Sequence, residues 1–197
     1  MAMSLKSAAI GVSVAGILFA IVLPLASQSG GGNQQQTPPE GVARTVFSGG
    51  ALEGIRKVTE NAPTTTTSQT YVNVPGAAVS WFVAANDSDL LNVNFTAECR
   101  LIGNSAPPTG AANWVELRVQ LLRGGYFVGY MQPNDTTSPM AFCSANEYAV
   151  HSANFAARVS GGTAGATYNA QVQYKVTGAT NLTAWLDDYM TELLAFN

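Results

Sequence analysis

The chain has 197 residues and a mass of 20.6 kDa, room for one ordinary domain plus a tail. Only 11% of its residues are charged, against roughly 25% in ordinary soluble domains, while 47% are apolar, and nine basic against twelve acidic residues leave a net charge of −3. That balance offers no basic field for phosphates and argues against nucleic acid as a partner, and one histidine with two cysteines excludes the usual Cys/His zinc sites and a four-thiolate iron–sulfur cluster within one chain.

Residues 7–26, SAAIGVSVAGILFAIVLPLA, form a run of twenty positions without a charge, and no charge appears between Lys6 and Glu40. As a helix this run would be about 30 Å long, the thickness of one bilayer core. One reading is a secretory signal peptide, which has a basic start, about 7 to 15 apolar residues and a small-residue cleavage site. Here the apolar run is longer, and cutting after Ala26 would place Pro24 in the cleavage motif. The other reading is an uncleaved membrane anchor through residues 7–26. With Lys6 ahead of the helix, the positive-inside rule keeps the start cytoplasmic and exports the chain from residue 27 onward. Both readings put the body at the cell surface or outside the cell.

Ser7, Gly11 and Ala15 recur every four positions, so on a helix they make a stripe of small residues through which helices pack closely. The Lys6-containing leader, the uncharged helix and a β-rich head together resemble the layout of type IV pilin-like subunits. The resemblance covers about the first thirty residues and implies a filament built around the helix. This chain lacks the acidic residue that bacterial pilins typically carry near the helix start.

Residues 28–43, QSGGGNQQQTPPEGVA, cannot bury enough apolar area to offset ordering a chain, and read as a flexible spacer. Further on, Leu52, Ile55 and Val58 have the three-residue spacing of one helical face, which predicts a helical turn or two. After Pro63 the run of threonines reads as extended and polar. The expected organisation is a helix over 1–27, a spacer over 28–67 and a head over 68–197.

The head reads as short β-rich runs. Tyr71 to Val74 precedes Pro75-Gly76, a turn pair, and Val79, Trp81 and Val83 alternate with Ser80 and Phe82. Leu91, Val93, Phe95 and Ala97 alternate with Asn92, Asn94, Thr96 and Glu98, the period of a strand with one buried face. Val115 to Leu121 repeats the pattern, Gly124-Gly125 turns the chain into Tyr126 to Tyr130, and further runs follow at residues 154–159, 168–176 and 192–196. Eight or nine short strands without a long helix predict an all-β, two-sheet antiparallel sandwich, jelly-roll or Ig-like. Low surface charge does little to oppose self-association, which predicts a homo-oligomer through the helix and the sandwich faces.

In order, the phrases YVNVPGAAVSW, LLNVNFTAECR, NWVELRVQL, AFCS, YNAQVQYKV and LDDYMTELLAF resemble a recurring type of exported bacterial β-sandwich domain with a general likeness to C1q/TNF-like jelly rolls. The resemblance spans about residues 69–197. It implies a secreted, oligomeric binding or structural head and carries no catalytic residues over.

Cys99 and Cys143, an even pair in an exported chain, predict a structural disulfide closing about 45 residues, worth about 4 kcal/mol in the chain-entropy model. His151 is the lone base available to a nucleophile, and no protease signature or nucleophile elbow surrounds it. Asp87, Asp89 and Asn92 make an oxygen-rich loop of the kind hard cations use, although the spacing meets no EF-hand pattern, and turn-forming by the Asx side chains is the simpler account. Asp187-Asp188 raises the same question. Trp81, Trp114, Tyr126, Tyr130, Tyr148 and Trp185 offer aromatic surface for a sugar or, more simply, for packing. With no catalytic constellation and no cofactor required, the leading expectation is a non-enzymatic, self-associating envelope or surface-appendage subunit. The alternative is a secreted module that binds carbohydrate or another surface through those aromatics.

Overall fold

A computed structural model describes residues 50–103, 113–133 and 140–197. The helix expected over residues 7–26, with its stripe of Ser7, Gly11 and Ala15, and most of the expected spacer lie outside the described residues. Within them, ten strands carry the fold: β1 (Leu52–Glu60), β2 (Thr64–Thr66), β3 (Val72–Val83), β4 (Ser88–Ile102), β5 (Trp114–Arg123), β6 (Tyr126–Tyr130), β7 (Met140–Cys143), β8 (Ala149–Ser160), β9 (Ala166–Thr177) and β10 (Thr183–Phe196). They form two antiparallel sheets. One runs β1-β10-β4-β8 with β2 also on β10, and the other runs β3-β9-β5-β6 with β7 also on β5. The chain passes repeatedly from one sheet to the other, and this interleaved order is that of the jelly roll rather than the Ig-like sandwich.

The core follows from period-two alternation. Leu91, Val93, Phe95, Ala97, Cys99 and Leu101 of β4 point inward against Val115, Leu117, Val119 and Leu121 of β5 and Ala170, Val172, Tyr174 and Val176 of β9, all buried. Phe95 sits at the centre, its ring 5.6 Å from Phe142 and 6.0 Å from Tyr189. Cys99 on β4 and Cys143 at the end of β7 are joined, so the disulfide crosses from one sheet to the other inside the core. His151, on β8, is half-buried with its ring 5.6 Å from that of Phe142, and burial lowers its pKa below the ordinary histidine value.

Three local expectations are replaced by longer pairings. Where Leu52, Ile55 and Val58 predict a helical turn, the chain runs as β1, paired with β10 from Phe196 back to Tyr189 with a single irregularity at Glu53. The reason is tertiary: β10 presents an open ladder edge, Ile55, Val58 and Thr59 are β-branched, and Val58 packs on the core. The threonines extend this as β2, paired with Ala184, Trp185 and Leu186, so the sandwich begins at Leu52 and not near Ser68. Pro75-Gly76 does not reverse the chain. It forms an irregularity inside β3, between the pairs Asn73↔Gln173 and Ala78↔Gln171. The carbonyls released there are taken up: Gln171 Nε2 donates to Val74 and Ala77, and the Tyr189 hydroxyl donates to Pro75. Finally, β10 is fourteen residues long because a bulge at Asp187-Asp188, where Asp188 has φ 42°, shifts the alternation. Ala184 and Leu186 face the core before the bulge, and Tyr189, Leu193 and Ala195 after it.

Candidate functional site

The strongest exposed apolar feature grows from a two-residue turn. Gly124 and Gly125 have φ of 57° and 88°, the left-handed pair that a tight hairpin requires, and they bring Tyr126 opposite Arg123. The register then skips between Leu121↔Gly129 and Leu122↔Phe127, which makes Val128 the extra residue of a bulge. Hydrophobic alternation is lost there, and Tyr126, Phe127 and Val128 are 80%, 54% and 50% exposed in succession. β6 pairs with β5 on one side, and no other strand lies on its far side among the described residues. The site therefore combines an apolar tip with open strand edge, which is the surface a second β-chain can extend.

On the outer face of the same sheet, a layer of polar side chains is closed upon itself. Glu116, 5% exposed, accepts hydrogen bonds from Tyr71 through Oε1 and from Thr177 at 2.8 Å through Oε2, and Lys175 Nζ lies 3.3 Å from Oε2. Arg118 donates to Gln173 Oε1 at 2.7 Å, and its guanidinium is sandwiched 3.8 Å from the Tyr71 ring centre and 4.3 Å from that of Tyr130. Burial, followed by the hydrogen bond and charge of Glu116, pushes the Tyr71 hydroxyl well above the ordinary phenol range. The stability linked to its proton is complete below the ordinary phenol value and is lost as pH rises through the raised one. Glu116→Ala would leave three donors without their acceptor, and is expected to cost about 3 kcal/mol in urea unfolding, with Glu116→Gln losing less.

A second polar cluster sits where β1 begins. The β1 register passes from Leu52↔Phe196 to Gly54↔Ala195, so Glu53 is a bulged residue with no partner opposite. Gly54 lies against Trp81 so closely that a Cβ there would be 2.6 Å from the ring, and only glycine lets β1 rest on it. Trp81 Nε1 donates to Asp89 Oδ2 at 2.7 Å. Asp87 is fixed in the β3–β4 turn: its N–H donates to Ala84, its carbonyl accepts from Gly161, and its carboxylate accepts from the Ser88 N–H at 2.8 Å. Carboxyl oxygens of Glu53, Asp87 and Asp89 lie within 4.8 Å of one another. The Glu53 carboxyl is held above the ordinary glutamate range by desolvation and by the carboxylates of Asp89 and Asp87.

Of the oxygen-rich loop read in the sequence, the structure thus brings Asp87 and Asp89 together. Asn92 stands apart, because an odd step of three along β4 turns it to the outer face while Asp89 points inward. Glu53, the third carboxylate, left no local signal, being on another strand. At Asp187-Asp188, the Asp187 carboxylate accepts from the Asp188 N–H at 2.9 Å and shapes the bulge. The six aromatics do not share a face. Trp81 is tied to Asp89, Tyr130 stacks on Arg118 and Phe127, Tyr148 and Trp185 stack on each other beside Arg100 on the other sheet, and Trp114 and Tyr126 lie at different ends of the β5–β6 hairpin.

No family model matches this chain, and no curated protein matches it. Among solved structures, it is similar to the crystal structure of the infectious bursal disease virus VP2 subviral particle, with a TM-score of 0.41 and 11% identity over 79% of this chain and 35% of that one. The chain spans about a third of the length of that protein.

Proposed function

We propose that the chain is a non-enzymatic structural subunit whose jelly-roll head self-associates through the β6 edge. The observation that carries this reading is the run Tyr126, Phe127 and Val128, exposed on an edge strand whose far side has no partner among the described residues. A second copy of the chain could cover these side chains and extend the ladder, and the low charge of the surface offers little repulsion. The uncharged run of residues 7–26 supports an exported subunit held at the membrane or in a filament core, with the head outside the cytoplasm at the cell surface.

The test is the mass of the full chain in mild detergent by analytical ultracentrifugation. Wild type is expected to sediment as an oligomer, and Phe127→Asp with Val128→Asp is expected to weaken association by at least about a hundredfold, from the loss of a buried aromatic and the burial of charge. The circular dichroism spectrum is expected to stay unchanged, because both side chains are exposed in the head. A monomeric wild type, or a double variant that assembles as well as wild type, would remove this reading.

A further inference from the structure

We propose that Glu53, Asp87 and Asp89 form a binding site for a calcium-like divalent cation that ties the start of β1 to the end of the sandwich. Three observations converge on it. The first is spacing: their carboxyl oxygens lie within 4.8 Å of one another, and an ion that takes oxygens at about 2.3 to 2.6 Å joins atoms up to about 5 Å apart. The second is an orphaned acceptor. Asp89 is 1% exposed, and its Oδ1 is a buried oxygen without a hydrogen-bond partner. Buried carboxylate oxygens are normally paired, and a cation supplies the partner that this one lacks.

The third is support from outside the group. Trp81 Nε1 holds Asp89 by Oδ2, which fixes the carboxylate while Oδ1 stays without a hydrogen-bond partner, the arrangement by which a hydrogen-bonded neighbour orients a metal ligand. The bulge at Glu53 likewise lifts one carboxylate out of the strand alternation, and the contact of Gly54 with Trp81 holds β1 against the other two acids.

The donor set defines the ion. Three carboxylates without histidine or cysteine suit a hard cation, and ligands drawn from a bulge, a turn and a strand suit the irregular, adaptable shell of calcium better than the strict octahedron of magnesium. Backbone carbonyls or water would complete it. The site joins residues 53, 87 and 89, so binding would fasten the first strand to the β3–β4 turn. It does not depend on self-association and can stand or fall separately.

Terbium ions serve as the probe on the full chain, because Trp81 lies next to the site and can sensitise their emission. The expected result is terbium luminescence on tryptophan excitation, chased away by calcium, together with a rise in melting temperature as calcium reaches about 10⁻⁴ to 10⁻³ M, the range of extracellular modules. Glu53→Gln is expected to weaken calcium binding by at least about tenfold, and Trp81→Phe to abolish the luminescence. Asp89→Asn should bind neither ion, and if that buried substitution does not fold, Glu53→Gln, at an exposed position, decides between binding and its absence. Absence of luminescence in wild type, or wild-type luminescence in Glu53→Gln or Trp81→Phe, would overturn the proposal.

Discussion

Replacing Cys99 and Cys143 together by alanine is expected to lower the unfolding free energy by about 4 kcal/mol, measured by urea denaturation against the oxidised wild type. The bond spans a sequence separation of 44, and the chain-entropy model ascribes its effect mainly to the unfolded chain, which is held in a closed loop. Both sulfurs are buried, so alanine leaves no unpaired polar group behind. The near-ultraviolet circular dichroism of the variant should therefore remain native under conditions where it folds. A loss below about 1 kcal/mol would mean that the unfolded chain is already compact without the bond. The bond also pins β4 of one sheet to β7 of the other, at a point where β7 is only four residues long and pairs with β5 alone.

Phe95→Ala is expected to be comparably severe, costing about 3 to 5 kcal/mol by the same measurement. Its ring is fully buried between Phe142 and Tyr189, and both neighbours are held: Phe142 by the adjacent disulfide, Tyr189 by its hydrogen bond to the Pro75 carbonyl at 2.6 Å. A cavity whose walls cannot collapse keeps the full penalty. When the bond is removed, Phe142 gains freedom to move inward, so the combined variant should lose less than the sum of the separate losses by about 0.5 kcal/mol or more. Strict additivity would show that the β7 segment stays in place without its bridge.

Much of this architecture was legible because alternation survives in long strands that bury one face. β4, β5 and β9 present their apolar sets in the parity read from the sequence, and the Gly124-Gly125 hairpin follows from turn chemistry alone. The failures lie where a bulge or a distant partner decides. Leu52, Ile55 and Val58 share a helical spacing, yet their segment is fixed by β10, at the other end of the chain. The first half of β10 escaped notice because the Asp187-Asp188 bulge moves its apolar residues from even to odd positions. Pro75-Gly76 carries a turn signal in a strand that continues, since Gln171 and Tyr189 satisfy the carbonyls it releases. The candidate sites divide in the same way. Asp87 and Asp89 announce themselves locally, whereas Glu53 joins them only through the fold. The exposed tip at Tyr126 to Val128 reads as an ordinary strand until the register skip turns successive side chains outward.

The pairing of β1 and β2 with β10 has a kinetic consequence. Ala51 and Asn197, 146 positions apart, are joined by a hydrogen bond, and β10 lies between β1 and β4 in its sheet. Until β10 has been made, β1 and β2 have no strand to join and β4 has only β8. β9 holds the same place between β3 and β5 in the other sheet. Contacts of such long range slow the search for the native state, toward about milliseconds to seconds in comparable all-β domains. A ribosome would therefore release nearly the whole head as an open chain, and its closure would come as a late event set by the arrival of β9 and β10.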